Sequence, residues 1–238
     1  MIETVSKYRH EYKYICSAQQ LTCIRQRIMP YMKPDSHVES RNFYTVRSLY
    51  FDDYTNTCFY DNLSGAEPRE KFRIRLYDGN VSFKKLELKQ KIHGMTKKLS
   101  CPVTKEQCLI MSEGHIADIR ALDDPVYRKF CIEQQTKMLR PKIIVEYDRV
   151  PYIYREGNVR VTFDMNIRSG MYVNQFLNEK IISVPVMPSG FHVLEVKFDE
   201  FLPDSIRQAI QIDGLRQTAY SKYCTCRKQN LRGNTNEI

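Results

Sequence analysis

The chain contains no glycine-rich phosphate loop of the Walker or dinucleotide type, and 9 glycines in 238 residues leave little scope for backbone amides to wrap an anion. If phosphate is gripped, arginine forks and compact lysine charges must do it. The 8 cysteines form no Cys-x-x-Cys pair, and Cys224-x-Cys226 has no companion cluster. Neither a zinc site nor a disulfide framework is expected, and the thiols read as reduced. The opening MIETVSKYRHEYKY lacks an apolar signal region, and no stretch approaches the ~20 apolar residues that cross a bilayer. A cytoplasmic location is therefore expected, with a membrane surface reached only through a partner protein. His10, His37, His93, His115 and His192 fall in no nucleophile motif, which argues against Ser-His-Asp or Cys-His hydrolysis. No repeat or low-complexity linker divides the chain. One domain over residues 1–238 is expected, with a disordered tail after about Asn230.

What the chain does have is charge on alternate residues of strand-like runs: Glu11-x-Lys13, Arg73-x-Arg75, Glu87-x-Lys89, Glu195-x-Lys197, with Arg149 and Arg160 in runs of the same kind. Side chains two apart on a strand share a face, so each pair lines one surface while Phe72, Ile74, Leu76, Leu86, Leu88, Leu194 and Val196 line the other. A solvated sheet face normally mixes Thr, Ser and Gln with charge. Here nearly every strong strand offers Arg, Lys and Glu. Lys plus Arg total 37 against 28 Asp plus Glu, a formal charge of +9 that calls for an anionic partner. Arginines crowded on one face repel each other unless an anion or carboxylates compensate, and a closed barrel of about eight strands has room for one small ligand. The expected fold class is α+β, an antiparallel β tunnel barrel with a polar interior, covered by several helices. No basic recognition helix or exposed aromatic platform accompanies the basic residues, so no nucleic-acid partner is expected.

Local signals place the elements. Lys7 to Ile15 alternates as a strand, and Ser17 with Gln20 offers a capping box for a helix to about Met29. Val46 to Phe51 reads as a strand, followed by a short helix that Asp53 can cap. Glu70 to Tyr77 and Ser82 to Gln90 form a hairpin around Asp78-Gly79-Asn80. Lys97 to Pro102 reads as a strand, Thr104 with Gln107 opens a helix, and a second helix spans about Asp124 to Leu139. Lys142 to Asp148, Tyr152 to Arg155 and Val159 to Asp164 are expected as separate strands, the last two turned by Glu156-Gly157-Asn158. Met171 to Val173, Ile181 to Val184 and Phe191 to Phe198 follow as strands, then a helix from about Asp204 to Asp213. Ser221-Lys222-Tyr223 lies in a short basic segment.

The ordered set Arg9-x-Glu11-x-Lys13-Tyr14, Ser48-Leu49-Tyr50-Phe51-Asp52, Lys71-x-Arg73-x-Arg75-x-Tyr77, Glu87-x-Lys89, Tyr147-x-Arg149, Arg160-Val161-Thr162-Phe163-Asp164, Leu194-Glu195-Val196-Lys197 and Ser221-Lys222-Tyr223 resembles the VTC domain. This is the polyphosphate-polymerase branch of the triphosphate tunnel metalloenzymes. The resemblance implies a tunnel that binds ATP, another triphosphate or polyphosphate together with manganese or magnesium. By position it implies Arg73, Arg75, Lys89, Arg149, Arg160, Glu195 and Lys197 as catalytic residues, and Lys13, Tyr147, Lys222 and Lys97 or Lys98 as further substrate ligands. Glu195 would be the main metal ligand, helped by Glu87 or Glu11. Arg9 stands where hydrolytic relatives carry a first glutamate, which favours an anionic chain over hydrolysis. Three activities stay open: a polyphosphate polymerase using the γ-phosphate of ATP, a triphosphatase acting on tripolyphosphate or an organic triphosphate, and a non-catalytic polyphosphate-binding module. VTC-like domains also belong to membrane-linked assemblies, which implies a membrane partner protein.

Overall fold

The computed structural model describes residues 7–36, 38, 42–116 and 124–235. Along them run β1 His10–Ser17, α1 Ala18–Ile28, β2 Lys33–Pro34, β3 Tyr44–Asp52, α2 Thr57–Ser64, β4 Arg69–Tyr77, β5 Asn80–Ile92, β6 Met95–Pro102, α3 Lys105–Ser112 and α4 Pro125–Thr136. The chain continues through β7 Arg140–Tyr154, β8 Val159–Gly170, β9 Ser183–Pro185, β10 Phe191–Phe198, α5 Asp204–Ile210 and α6 Lys222–Thr235. The strands make one antiparallel sheet in the order β1-β10-β8-β7-β3-β4-β5-β6, with β2 beside β7 and β9 beside β8. Its two ends meet where Arg9 and Thr96 exchange backbone hydrogen bonds of 2.9 Å, so the sheet curls into a barrel. Farther along, the free flank of β1 takes a bond from Thr218 N–H to the Lys13 carbonyl at 2.8 Å, which draws residues 217–221 along the wall.

Turn and cap chemistry sets most boundaries. Tyr77 pairs with Asn80 across Asp78 and Gly79, both with positive φ, the geometry that matches strand twist in a two-residue hairpin. Both expected capping boxes form, Ser17 with Gln20 and Thr104 with Gln107. At α2 the carboxylates of the strand end serve instead of the cap residue. Asn56 makes no side-chain cap bond, while Asp53 accepts from Thr57 N–H and Asp52 from Cys58 and Phe59 N–H. Gly157 turns β7 into β8 at φ 69°, and a side chain there would meet the Phe201 carbonyl at 2.6 Å.

Four expectations change. The strands expected at Lys142 to Asp148 and Tyr152 to Arg155 are one continuous β7. Pro151 is tolerated because its missing N–H lies on the flank past the end of β3, where its carbonyl accepts only from Asp35 N–H. Val173–Gln175 is a single 3-10 turn instead of a strand ending at Val173, and the strand expected at Ile181 to Val184 is β9. The basic segment at Ser221 opens α6, which passes Asn230 and continues to Thr235.

Apolar residues sort to two places. Outside the barrel, Leu49, Phe72, Ile74 and Leu88 pack beneath α3 and α4, and Val161, Phe163, Leu194 and Val196 beneath α1 and α5. Inside, Ile143, Val145, Ile167 and Val193 pack with Phe59 of α2 and Tyr223, Cys224 and Cys226 of α6. The register shows that this second group faces inward, since Ile143 pairs with Tyr50 and Val145 with Ser48, which both bond tunnel arginines. The interior is therefore polar over one part and filled by a helix over the other.

Candidate functional site

The polar part of the interior is a cavity of about 1130 Å³. Its wall includes Glu11, Lys13, Arg73, Arg75, Lys89, Lys97, Lys98, Tyr147, Arg149, Arg160, Glu195, Lys197 and Lys222. The register explains the convergence. Glu11, Lys197 and Arg160 lie abreast across β1, β10 and β8, as do Lys13 and Glu195 across β1 and β10. Tyr50, Arg73 and Glu87 lie abreast across β3, β4 and β5, and Lys71, Lys89 and Lys98 across β4, β5 and β6.

Carboxylates hold the cations in three groups. Asp164, fully buried, chelates Arg149 through Nε and Nη2 at 2.6 and 2.8 Å and receives Lys222 Nζ at 2.6 Å. Beside it Glu195 pairs with Lys197 at 2.6 Å, with Lys222 at 3.7 Å and Arg149 at 3.9 Å farther off. Glu11 takes Lys13 at 2.9 Å and Lys89 at 2.7 Å, and Lys13 also donates to the Tyr220 carbonyl. Glu87 accepts from Arg73 at 2.7 Å and Lys98 at 2.8 Å, with Arg75 at 3.8 Å. Arg73 reaches the Tyr50 hydroxyl, and Arg75 donates to Ser48 Oγ and the Tyr147 hydroxyl at 3.1 and 3.2 Å. At the rim Arg160 meets Asp35 at 2.5 Å, and the Lys97 ammonium stands 5.7 Å from the Tyr8 ring.

Burial works against every ionised group here, yet the opposite charges prevail at the carboxylates. Lys13 and Lys89 hold Glu11 well below the usual range despite burial, Lys197 and Lys222 do the same for Glu195, and Arg73 and Arg75 for Glu87. Lys89 is different. Burial, with repulsion from Lys13 and Lys197, outweighs Glu11 and pushes its ammonium down to about 7. In the free protein its charge is present below that pH and lost above it. An anion bound beside it restores the charge, so binding of sulfate, which does not itself titrate there, is expected to take up a proton at pH 8. Calorimetry in two buffers of different ionisation enthalpy reads this directly, and equal heats at pH 8 would contradict it.

The donor set bears on a metal. Glu87, one of the two expected helpers, is 1% exposed and pairs with Arg73 and Lys98, as Glu11 pairs with Lys13 and Lys89. Of the expected metal ligands, Glu11 and Glu195 stand on the cavity wall, and the Glu195 charge works to raise the pKa of Glu11. No cluster of three metal-ligating side chains occurs among the described residues. One or two hard carboxylate oxygens fit magnesium or manganese that arrives with phosphate oxygens completing its shell.

Several residues at or behind the cavity wall carried no expected role. Asp164, quoted only within a motif and buried behind the wall, gathers Arg149 and Lys222, and Lys71, Tyr50 and Tyr223 line the wall. The Tyr223 hydroxyl donates to buried Asp52 of β3 at 2.5 Å while the preceding Lys222 reaches Asp164 of β8, so consecutive residues tie α6 to two strands that flank β7. Tyr223→Phe leaves Asp52 short of a donor and is expected to lower stability by about 1.5–3 kcal/mol in urea unfolding. An unchanged midpoint would contradict that anchor.

An antiparallel barrel that turns cations and a few carboxylates toward an enclosed cavity has the architecture of a triphosphate tunnel. A solved structure of a candidate adenylyl cyclase from Hippeastrum, described as having a dominant triphosphatase activity, shares the fold, with TM-score 0.52 and 14% identity over 93% of this chain and 96% of that one. A candidate adenylate cyclase from Bacillus halodurans aligns at TM-score 0.45 and 13% identity, over 98% and 92% of the two chains. The chain belongs to the VTC domain family, whose model matches residues 8–230. No curated protein matches it. Among the described residues no helix is long and apolar enough to cross a membrane.

Proposed function

We propose that this domain is a polyphosphate polymerase that moves the γ-phosphoryl group of ATP onto the end of a polyphosphate chain. The observation that carries the reading is the cavity wall, where the ten expected Lys and Arg ligands outnumber the five carboxylates they contact, Glu11, Asp35, Glu87, Asp164 and Glu195. An excess of enclosed positive charge favours an anion in the same space. In the transfer, a terminal phosphate oxygen of the acceptor bonds to the γ-phosphorus as the bridging bond to ADP breaks. The acceptor is already ionised, so no general base is required. What the site must supply is charge compensation between two anions. Arg73, Arg75 and Arg149 are placed for that by their carboxylate and hydroxyl partners, and Lys13, Lys89, Lys197 and Lys222 line the same space. Magnesium or manganese held by Glu195 and Glu11 would add Lewis-acid polarisation of the phosphate oxygens.

Incubation with ATP and manganese or magnesium tests the proposal. Acid-labile polymer with stoichiometric ADP is expected. Free phosphate without polymer would instead assign a triphosphatase, and binding without turnover a non-catalytic module.

A further inference from the structure

Glu195 is crowded by cations yet holds only one of them closely. Lys197 meets its Oε1 at 2.6 Å, while Lys222 stops 3.7 Å from Oε2 and Arg149 Nη2 stops 3.9 Å from Oε1. Glu11 is more fully engaged, since Lys89 reaches both of its oxygens, Lys13 takes Oε1 and Thr96 donates to Oε2. The group that holds Arg149 and Lys222 away from Glu195 is Asp164. Its Oδ2 takes Arg149 Nη2 at 2.8 Å and Lys222 Nζ at 2.6 Å, and its Oδ1 takes Arg149 Nε at 2.6 Å.

Asp164 lies directly opposite Arg149 in the β7–β8 register and is fully buried behind the cavity wall. It therefore acts on a bound group only through the two cations it holds, and both of those line the cavity. Attraction between charges grows as their separation falls and as water is excluded, so the near carboxylate outcompetes the far one. Without the Asp164 charge, two buried cations are left to seek another anion, and Glu195 is less than 4 Å from each. Closing on it, they would cover its oxygens and repel a metal ion.

We propose that Asp164 is a positioning residue that draws Arg149 and Lys222 off Glu195 and so leaves Glu195 open to a divalent cation. The inference rests on the reading above, in which Glu195 meets the metal, and adds to it the residue that sets how freely it does so.

The test needs no turnover. Tripolyphosphate is titrated calorimetrically into the full chain with and without manganese, and the ratio of the two dissociation constants gives the manganese preference. Asp164→Asn, which keeps the side-chain shape, is expected to lower that preference about tenfold while metal-free affinity changes less than about threefold. Adding Lys222→Gln to Asp164→Asn is expected to recover part of the preference, because it removes one of the cations that would close on Glu195. A merely structural role for Asp164 gives no such recovery. An unchanged preference in Asp164→Asn, including equal losses with and without manganese, or no recovery in the double variant, overturns the proposal. If Asp164→Asn alone does not fold, the double variant is compared with Lys222→Gln, where a preference about threefold lower supports the proposal and equal preferences overturn it. Glu195→Gln separates the two possible failures. If it abolishes a manganese preference that Asp164→Asn leaves intact, only the role of Asp164 fails, whereas a preference that survives Glu195→Gln overturns the metal reading of Glu195 and the proposal with it.

Discussion

Glu195→Gln is expected to cut metal-dependent phosphoryl transfer by about 10²–10³ while metal-free tripolyphosphate binding holds or tightens. The opposite signs follow from what Glu195 does in each state. It is 5% exposed, carries its negative charge well below the usual carboxylate range, and takes Lys197 at 2.6 Å, with Lys222 and Arg149 within 3.9 Å. Removing that charge frees three cations for phosphate, and Asp164 still compensates Arg149 and Lys222. In the proposed transfer the same change would take away a carboxylate oxygen offered to a divalent ion. Kinetics with ATP and manganese, set beside calorimetry with tripolyphosphate and no metal, separates the two effects. Parallel loss of both would make Glu195 a structural residue.

Arg75→Ala is expected to weaken tripolyphosphate binding by about 10- to 100-fold with a urea midpoint near that of the wild type. Among Arg73, Arg75, Arg149 and Arg160 its fork is the least committed to carboxylates. Its nearest acidic oxygen is 3.8 Å away, and its close partners are the neutral hydroxyls of Ser48 and Tyr147. Arg75→Ala therefore strands no buried anion, because Glu87 keeps Arg73 and Lys98. Arg75→Lys should recover part of the affinity, since it restores a charge without the planar fork. A marked fall in stability with binding unchanged would contradict this assignment.

Much of this architecture is legible in residue parity. Alternate charges in β1, β4, β5 and β10 announce an inward polar face because a strand cannot put both sets of side chains on one side. Asp78-Gly79 and the two capping boxes fix local geometry over three or four residues, where sequence speaks most directly. What parity does not supply is register between distant strands. It shows that Glu87 faces inward, and only the pairing Arg73↔Glu87, with Lys98 one strand over, shows which cations it meets. Asp52 and Tyr223 are 171 residues apart, so their bond leaves no local trace. Helix α6 escapes for a related reason. Its buried Tyr223, Cys224 and Cys226 crowd its first turn instead of marking a stripe, and its place inside the barrel is set by the apolar end of β7 and β8. Pro151 suggests a break because local rules disfavour proline in a ladder, and it is tolerated at a flank that only the assembled sheet creates.

The stoichiometry of metal-free tripolyphosphate binding, measured by titration calorimetry, bears most directly on whether side chains from seven strands and the first turn of α6 act as one site. One saturating event per chain is predicted, weakened alike by Arg75→Ala on β4 and Lys197→Ala on β10, which face the same cavity from different strands. Several weak equivalent events per chain, indifferent to either change, would mean that the cations serve as separate surface charges and would contradict the tunnel.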